Sequence, residues 1–247
     1  MASVTSYPDY NLIAPINNEY YSQKYLETNL PIIKYLLLEH IPKTAKILDI
    51  CCGVGRLAQK LLLEGYQVTG IDSSEEMLRY ARQNATTAEF ILSDVRFFEL
   101  PSKFQGAIST GALNHIISIE ELTNVFRNVY AALEFNGIFV FNLLLEEEFN
   151  SDWDGWSFGD AIDDSAWIVR HHYESIEKMG KIKITGFQLI EGNWKRLDNI
   201  MLFKAYSSVE VLSALKSVGF REVNIHSFKD DSVVNQKSIE TYFVSYK

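Results

Sequence analysis

One stretch of the sequence, residues 46–58, constrains the fold more than any other. It reads Lys-Ile-Leu-Asp-Ile-Cys-Cys-Gly-Val-Gly-Arg-Leu-Ala. Its apolar start is typical of a strand that is buried on both faces of a parallel sheet. Gly53 and Gly55 then let the backbone turn sharply and approach a ligand closely. Helical spacing of leucines resumes at residues 56–64, so the stretch predicts a strand, a tight loop and a helix whose N-terminus faces the loop.

Three acidic residues end three successive predicted strands. Asp49 lies just before the glycine loop, Asp72 ends the apolar run 67–71, and Asp94 ends the run 90–93. Because ligands of open α/β sheets bind beyond the carboxyl ends of the strands, we expect the three acids to surround one crevice. Such a crevice repels a pyrophosphate. It attracts a ligand with a sulfonium and an ammonium group, by about 4 kcal/mol for each unit-charge pair at close range and moderate dielectric.

These motifs resemble those of the class I methyltransferases that depend on S-adenosylmethionine (SAM). The glycine-rich motif of that family is similar to residues 47–55, its ribose-binding acid to Asp72, and its adenine-side acid to Asp94. The resemblance extends over residues 44–145. It implies an α/β fold with a Rossmann-like, seven-stranded, mostly parallel doubly wound sheet, and it implies SAM as the cofactor without a metal.

The resemblance also implies which residues contact SAM. They lie in the glycine loop, after the first four strands and in the N-terminal segment: Asp49, Cys51, Gly53, Gly55, Arg56, Asp72, Ser73, Met77, Asp94, Val95, Thr110 and Tyr20. Cys51 departs from the family, which more often has glycine there, so its side chain is expected to crowd the methionine end of SAM. Tyr10 and Tyr21 are further candidates near the methionine moiety. For each of the three tyrosines, packing of the N-terminal segment onto the core is the alternative role.

Local signals place the remaining helices and strands. A helical pattern covers residues 17–40, and Pro31 is expected to separate two short helices. Three pairs match the capping box that opens a helix: Ser73 with Glu76, Ser118 with Glu121, and Ser207 with Glu210. Asn136 and Gly137 are expected to form a turn into a fifth strand at residues 138–145.

Residues 146–206 interrupt the alternation of helices and strands. Residues 181–187 alternate with period two, residues 194–206 are similarly extended, and Gly192 with Asn193 is expected to form the turn between them. The sequence therefore predicts an N-terminal helical cap (residues 1–43), a SAM-binding core (44–145 and 207–247) and an inserted antiparallel β lid (146–206). In the family that the chain resembles, such a sheet covers a small-molecule substrate.

Candidate substrate contacts lie after the fourth strand and in the insertion: Asn114, Trp153, Trp156, Arg170 and Arg196. The tryptophans suit an amine through cation–π contacts worth ~0.5–2 kcal/mol, or alternatively they anchor the lid to the core. The arginines suit a substrate carboxylate, although a solvated strand face is their ordinary location. His115 is the candidate catalytic base, and the alternative is a histidine that only shapes the pocket.

Composition narrows the partners and the compartment. A net charge of −9 argues against nucleic acid, whose binding relies on basic patches. The two cysteines are adjacent, which disfavours a disulfide and a structural zinc site and indicates a reducing compartment. The sequence has neither a signal-peptide pattern nor an apolar run of about 18 residues. We therefore expect a cytoplasmic protein, a monomer or a homodimer, with no membrane partner.

Three functions are compatible with these features. The first is a methyltransferase that moves a methyl group from SAM to a small-molecule acceptor by in-line displacement. An NAD-dependent oxidoreductase shares the Gly-x-Gly-x-x-Ala loop, and a noncatalytic SAM-binding module shares the whole cofactor site. The resemblance favours the methyltransferase. Neither the substrate nor the methylated atom, whether oxygen, nitrogen, sulfur or carbon, follows from the sequence.

Overall fold

The computed structural model describes residues 10–148, 154–230 and 238–247. It contains two β-sheets. A seven-stranded sheet has helices on both faces, and a four-stranded antiparallel sheet is inserted after its fifth strand in the chain. Among the described residues, no helix combines the length and the apolar character that crossing a membrane requires.

The elements follow the predicted α/β order. The helices are α1 (Ser22–Leu36), α2 (Arg56–Leu63), α3 (Glu75–Asn84), α4 (Ile119–Ala132) and α5 (Ser208–Val218). The strands are β1 (Lys46–Ile50), β2 (Gln67–Asp72), β3 (Glu89–Leu92), β4 (Phe104–Ser109), β5 (Leu133–Leu143), β6 (Ser157–Ile162), β7 (Ser165–Glu174), β8 (Met179–Ile190), β9 (Asn193–Lys204), β10 (Glu222–Asp230) and β11 (Ser238–Tyr246). Short helical turns lie at Tyr10–Ile13, Ala14–Ile16, Asn17–Tyr21, Leu38–His40, Leu113–His115 and Glu146–Glu148.

The large sheet has the strand order β10-β11-β5-β4-β1-β2-β3. Strands β1 to β5 run parallel, and β11 pairs antiparallel with both β5 and β10. The predicted seven-stranded, mostly parallel sheet is therefore confirmed. The carboxyl ends of β1, β2, β3 and β4 share one edge of the sheet, where the predicted site lies.

Strand β5 illustrates why helices cover both faces of this sheet. Phe139 and Phe141 belong to a buried cluster that includes Phe126 of α4, whereas Val140 belongs to a second cluster with Ile33 of α1. Successive residues of a strand point to opposite faces, so the continuous apolar run at residues 138–141 requires cover on both sides.

Helix α1 runs through Pro31, so the predicted break at this residue is wrong. Proline in a helix interior costs ~3 kcal/mol, because it lacks an N–H and its ring clashes with the preceding turn. Leu26, Ile33 and Leu36 are buried along the same helix, and each apolar side chain of this size stabilises by ~1.5–3 kcal/mol on burial. Their packing offsets the cost of the proline.

Strand β5 begins at Leu133, directly after α4, so the predicted turn at Asn136 and Gly137 is also wrong. The register with β4 shifts between the pair Phe104–Leu133 and the pair Gly106–Ile138, which places the extra residues in a bulge. Asn136 adopts the left-handed conformation there (φ 63°), which asparagine tolerates better than most residues.

The three predicted capping boxes have three different outcomes. Ser207 and Glu210 form both arms of the box at α5, so this prediction is confirmed. Ser118 caps α4 by accepting from the N–H of Glu121, but the carboxylate of Glu121 pairs with Arg96 instead. At α3 the cap is Ser74, which accepts from the N–H of Met77, so the predicted box of Ser73 with Glu76 is wrong.

The inserted segment forms a four-stranded antiparallel sheet in the order β6-β7-β8-β9, which confirms the predicted type of insertion. Strand β8 is longer than the predicted segment 181–187, and β9 begins one residue before and ends two residues before the predicted segment 194–206. The turn between β8 and β9 consists of Glu191 and Gly192, one residue earlier than predicted, and both have positive φ (50° and 78°). Two such residues match the twist of the flanking strands in a two-residue hairpin loop.

One face of the inserted sheet is apolar and covered. Trp167 and Val169 of β7 and Ile184 of β8 are buried together with Ile13 of the N-terminal segment and Val54 of the glycine loop. Alternation along β7 and β8 puts their charged residues, such as Arg170 and Lys183, on the opposite face. The inserted sheet therefore packs its apolar face toward the glycine loop, while its role as a substrate lid stays a prediction.

Candidate active site

The three predicted acids converge on the glycine loop. Burial, followed by the charges of Asp72, Asp49 and Asp94, raises the pKa of the Cys51 thiol well above its usual value. All three carboxylates therefore act on one point of the loop, as the order of their strands predicts. Their environments nevertheless differ, and so do their charges.

Asp72 holds the loop and the next helix together. Its Oδ2 accepts from the N–H of Gly53 at 2.9 Å, and its Oδ1 accepts from the N–H of Ser74 at 2.9 Å. Burial raises the pKa of Asp72, and these backbone hydrogen bonds partly offset that effect. Each carboxylate oxygen has a second lone pair, so the group can also accept from a ligand hydroxyl.

Asp49 is the least satisfied of the three acids. It is 3% exposed, and its Oδ2 has no hydrogen-bond partner in the described part of the chain. Burial and then the charge of Asp72 raise the pKa of Asp49 to about 8. Its carboxyl is therefore mostly protonated at neutral pH.

Asp94 is neutralised by an arginine two residues later. Arg96 donates from Nε to both oxygens of Asp94 (2.9 and 3.1 Å) and also binds Glu121 at 2.7 Å. Burial acts to raise the pKa of Asp94, but the hydrogen bonds and charge of Arg96 hold it below its usual value. The expected crevice with three negative charges is therefore wrong, since one acid is protonated and another is paired.

The glycine loop is open at Gly53 and closely packed at Gly55. No described atom lies within 4 Å of the point that a Cβ on Gly53 would occupy. A Cβ on Gly55 would lie 2.9 Å from the Cα of Ala81, so this glycine lets α2 approach α3. Cys51 adopts φ 58°, a conformation that favours glycine.

Hydrogen bonds hold the N-terminal segment across the glycine loop. Arg56 donates from a terminal nitrogen to the backbone carbonyl and side chain of Asn18, at 3.2 and 3.3 Å. Asn84 donates to the Asn18 side chain and to the carbonyl of Val54, both at 2.8 Å. In the described chain, the Nε of Arg56 and the hydroxyl of Tyr21 are buried without a hydrogen-bond partner. The side chain of Tyr20 lies outside the described residues.

The other predicted cofactor residues lie around the same edge of the sheet. Met77 is buried in the cluster that contains Val54, and Val95 is buried beside Phe98. Ser73 is exposed, and Thr110 follows β4 directly. Asp49, Arg56 and Tyr21 each have a buried polar atom without a partner in the described chain, and Gly53 has an open side; a ligand with polar and charged groups fits such residues, because it supplies the missing partners.

His115 faces the inserted sheet from the turn after β4. Its Nδ1 lies 3.1 Å from the carbonyl oxygen of Leu202, and because a carbonyl only accepts, Nδ1 carries the proton and Nε2 the lone pair. Its ring centroid lies 4.0 Å from that of Phe203 and 5.5 Å from that of Tyr10. Burial lowers the pKa of His115 to about 4, so the imidazole is neutral at physiological pH.

The structure places the predicted substrate contacts in different surroundings and does not gather them all at the site. Trp156 packs its ring on Phe158 and His171, with centroids 4.7 and 4.6 Å apart. Arg170 and Arg196 lie on the exposed face of the inserted sheet, so the structure does not bring them to the site. Trp153 lies outside the described residues. The side chain of Asn114 binds backbone groups of two chain segments instead of pointing to an open space.

Several neighbours of the site carry no signal in the sequence. Phe203 and Leu202 reach His115 from 87 or more residues away, and Asn142 accepts from the N–H of Gly111 at 2.7 Å. These contacts depend on how the inserted sheet and β5 meet the loop after β4. Among the described residues, no group of three or more histidine, cysteine, aspartate or glutamate side chains is arranged to hold a metal ion.

Comparison with known proteins consistently finds methyltransferases. A profile described as a methyltransferase domain matches residues 47–137. A putative methyltransferase of Bacillus subtilis, YqeM, is 24% identical over 213 residues, which cover 84% of this chain and 86% of that protein. The dTDP-3-amino-3,4,6-trideoxy-alpha-D-glucopyranose N,N-dimethyltransferase of Streptomyces venezuelae is 27% identical over 128 residues, 51% of this chain and 53% of its own length.

A solved structure shares the fold over nearly the whole chain. It is an S-adenosylmethionine-dependent methyltransferase from Clostridium acetobutylicum, 21% identical, with a TM-score of 0.75 and coverage of 96% of this chain and 98% of that one. The likeness includes the predicted core and the inserted sheet. The motifs, the matching domain and the shared fold agree with one another, and the oxidoreductase alternative does not account for them: residues 47–137 match a methyltransferase domain, and the chain has the fold of S-adenosylmethionine-dependent methyltransferases.

Proposed function

We propose that the chain methylates a small-molecule acceptor that binds in the cofactor crevice, beside the apolar face of the inserted sheet. The observation that carries this proposal is the packing of that face. Trp167 and Val169 lie against Val54 of the loop and Ile13 of the N-terminal segment, and Phe203 lies against His115. A closed apolar wall beside the cofactor crevice excludes water and holds a small acceptor in one orientation.

SAM, when bound, supplies an activated methyl group on a sulfonium, so the protein itself provides binding and alignment. Asp72 is the residue we assign to the ribose hydroxyls, and Asp94 with Val95 lies on the adenine side. We assign Asp49, Tyr21 and Arg56 to the polar methionine end, because each has a buried polar atom without a partner in the described chain. A bound ligand that satisfies these atoms removes a desolvation penalty of ~1–3 kcal/mol for each.

We assign His115 the role of a hydrogen-bond acceptor. A general base works best when its pKa lies near the operating pH, and the pKa of His115 is lowered to about 4 by burial. A neutral imidazole with its lone pair on Nε2 instead accepts from an N–H or O–H of the acceptor and directs the nucleophilic lone pair. This arrangement suits an amine, because a neutral amine attacks without needing a strong base.

The acceptor class that we propose is therefore an amine on a small molecule. The Streptomyces venezuelae relative is named as an N,N-dimethyltransferase of a dTDP-linked amino sugar, which makes an amino sugar the first compound to test. The measurement is formation of S-adenosylhomocysteine with a dTDP-linked 3-amino sugar and with its 3-hydroxy analogue. We expect product with the amine only. Product with the hydroxyl compound alone, or with neither compound, contradicts the amino-sugar proposal.

His115→Phe tests the role of the imidazole. The substitution keeps an aromatic ring against Phe203 but removes the Nε2 acceptor, so kcat is expected to fall at least tenfold while the Kd for SAM stays within about twofold. His172→Phe, on the exposed face of the inserted sheet, is the matched control and should keep the parental kcat. An unchanged kcat in His115→Phe contradicts the assigned role.

Asp72→Ala tests the ribose assignment. It removes two charge-assisted hydrogen bonds to ribose hydroxyls, worth ~1.5–3 kcal/mol each, so SAM binding measured by calorimetry should weaken at least tenfold. Asp163→Ala changes an exposed aspartate and serves as the control. Circular dichroism checks the fold, since Asp72 also binds Gly53 and Ser74. Equal affinity in both variants contradicts the assignment.

The protonation state of the Asp49 carboxyl predicts how SAM binding depends on pH. In the free protein its carboxyl holds a proton below a pKa of about 8, because burial and Asp72 disfavour the charge. The positive groups of SAM favour the ionised form, so binding releases a proton and the Kd should fall as pH rises from 6 to 8, by at most about tenfold per unit. Above the pKa of Asp49 the Kd should level off.

Calorimetry in two buffers with different ionisation enthalpies counts the protons released. We expect a release that approaches one proton at pH 7 in the parent protein and none from this position in Asp49→Asn. A Kd for SAM that does not change between pH 6 and 8, with no proton release, contradicts the link between Asp49 and the cofactor.

A further inference from the structure

The inserted sheet joins the core through two chain segments that lie side by side. The chain leaves the core after β5 through residues 144–146 and returns after β9 through residues 204–206. Leu145 and Tyr206 form a parallel bridge, and the N–H of Glu146 donates to the carbonyl of Tyr206 at 2.9 Å. We call these two segments the crossing. The orientation of the inserted sheet over the core depends on how the crossing is held.

The side chain of Asn114 holds both segments of the crossing. Its Oδ1 accepts from the N–H of Leu144 at 2.9 Å, and its Nδ2 donates to the carbonyl of the same residue at 2.9 Å. The same Nδ2 donates to the carbonyl of Lys204 at 2.8 Å. Asn114 is 6% exposed, so these bonds are shielded from water. An amide has two N–H donors, and here both are used by the crossing.

The neighbours of Asn114 in the chain bind the same region. Nδ1 of His115 donates to the carbonyl of Leu202 on β9, and the hydroxyl of Tyr206 donates to the carbonyl of Ile116 at 2.5 Å. Residues 114–116 therefore contact the inserted sheet and both strands of the crossing. They lie in the loop after β4 and include His115.

We infer that Asn114 is a positioning residue that sets the orientation of the inserted sheet relative to the core. It acts on the acceptor through the sheet and does not bind the acceptor itself, in contrast to the role that the sequence suggests. The inference rests on the proposed function only in treating the sheet as the acceptor wall. Because the same turn carries His115, one side chain aligns the wall and the imidazole together. A shift of ~1 Å in such a wall can lower a rate by ~100-fold.

Asn114→Asp separates this role from simple packing. The carboxyl has nearly the same shape, and it keeps an acceptor for the N–H of Leu144. When ionised it faces the carbonyl oxygens of Leu144 and Lys204 without a proton to donate, which repels the crossing. When protonated it donates one hydrogen bond and restores part of the contact. The effect of this variant on the crossing should therefore change with pH, whereas Asn114→Leu should act equally at every pH.

The readout is the distance between the core and the inserted sheet. Spin labels are attached through unnatural amino acids at Gln83 on α3 and Lys183 on β8, both exposed, which leaves Cys51 and Cys52 untouched. Pulsed electron resonance then gives the distance distribution in the parent protein, in both Asn114 variants and in Asn128→Asp. Asn128 is a matched control, since its amide donates to the carbonyl of Val95 away from the crossing.

We expect one narrow distribution in the parent and in Asn128→Asp at pH 5 and pH 8. Asn114→Asp should be at least twice as wide at pH 8 and narrower at pH 5, and Asn114→Leu should be wide at both. A parental distribution for Asn114→Asp at pH 8, or widening in Asn114→Asp that does not respond to pH, overturns the inference. No acceptor is needed, so absence of methyl transfer to amines contradicts the proposed function without affecting this result.

Discussion

The carboxylate of Asp72 is the interaction on which the rest of the site depends. It joins the end of β2 to the glycine loop through Gly53 and to the start of α3 through Ser74. The loop adopts left-handed conformations at Cys51, Gly53 and Gly55, and such a chain needs fixed partners to keep one shape. With the loop held, α2 packs closely on α3 beside Gly55, and the N-terminal segment binds across the loop through Arg56.

The charges of the crevice are set by what surrounds each acid. Arg96 neutralises Asp94, and burial keeps a proton on Asp49, so the free site has far less negative charge than its three acids suggest. Attraction between the positive groups of the cofactor and full negative charges is therefore reduced before the cofactor arrives. Binding instead gains from ionising Asp49 and from satisfying the buried polar atoms of Tyr21 and Arg56. The affinity for SAM therefore depends more on hydrogen-bond and ionic partners for these buried groups than on long-range attraction.

The sequence was informative where short-range patterns decide the structure. The alternation of strands and helices, the glycine loop, the acids at strand ends and the antiparallel insertion all follow from spacing within a few residues. The break at Pro31 failed because buried side chains of α1 outweigh a local penalty. The positions of Asn114, Arg170 and Arg196 relative to the site do not follow from the sequence, since they depend on which face of the inserted sheet meets the core. Asn114 binds partners 30 and 90 residues away, and no local pattern signals such contacts.

The central claim is that the inserted sheet holds the acceptor, while the core and the N-terminal segment hold SAM without it. Replacing residues 149–203 by a short Gly/Ser linker tests it most directly, because residues 145 and 206 pair across the ends of the insertion. In single-turnover assays with the amine that the parent protein methylates, we predict that transfer falls at least 100-fold while the Kd for SAM changes by less than about tenfold. Circular dichroism and gel filtration establish that the shortened chain is folded. Transfer at the parental rate would contradict the claim.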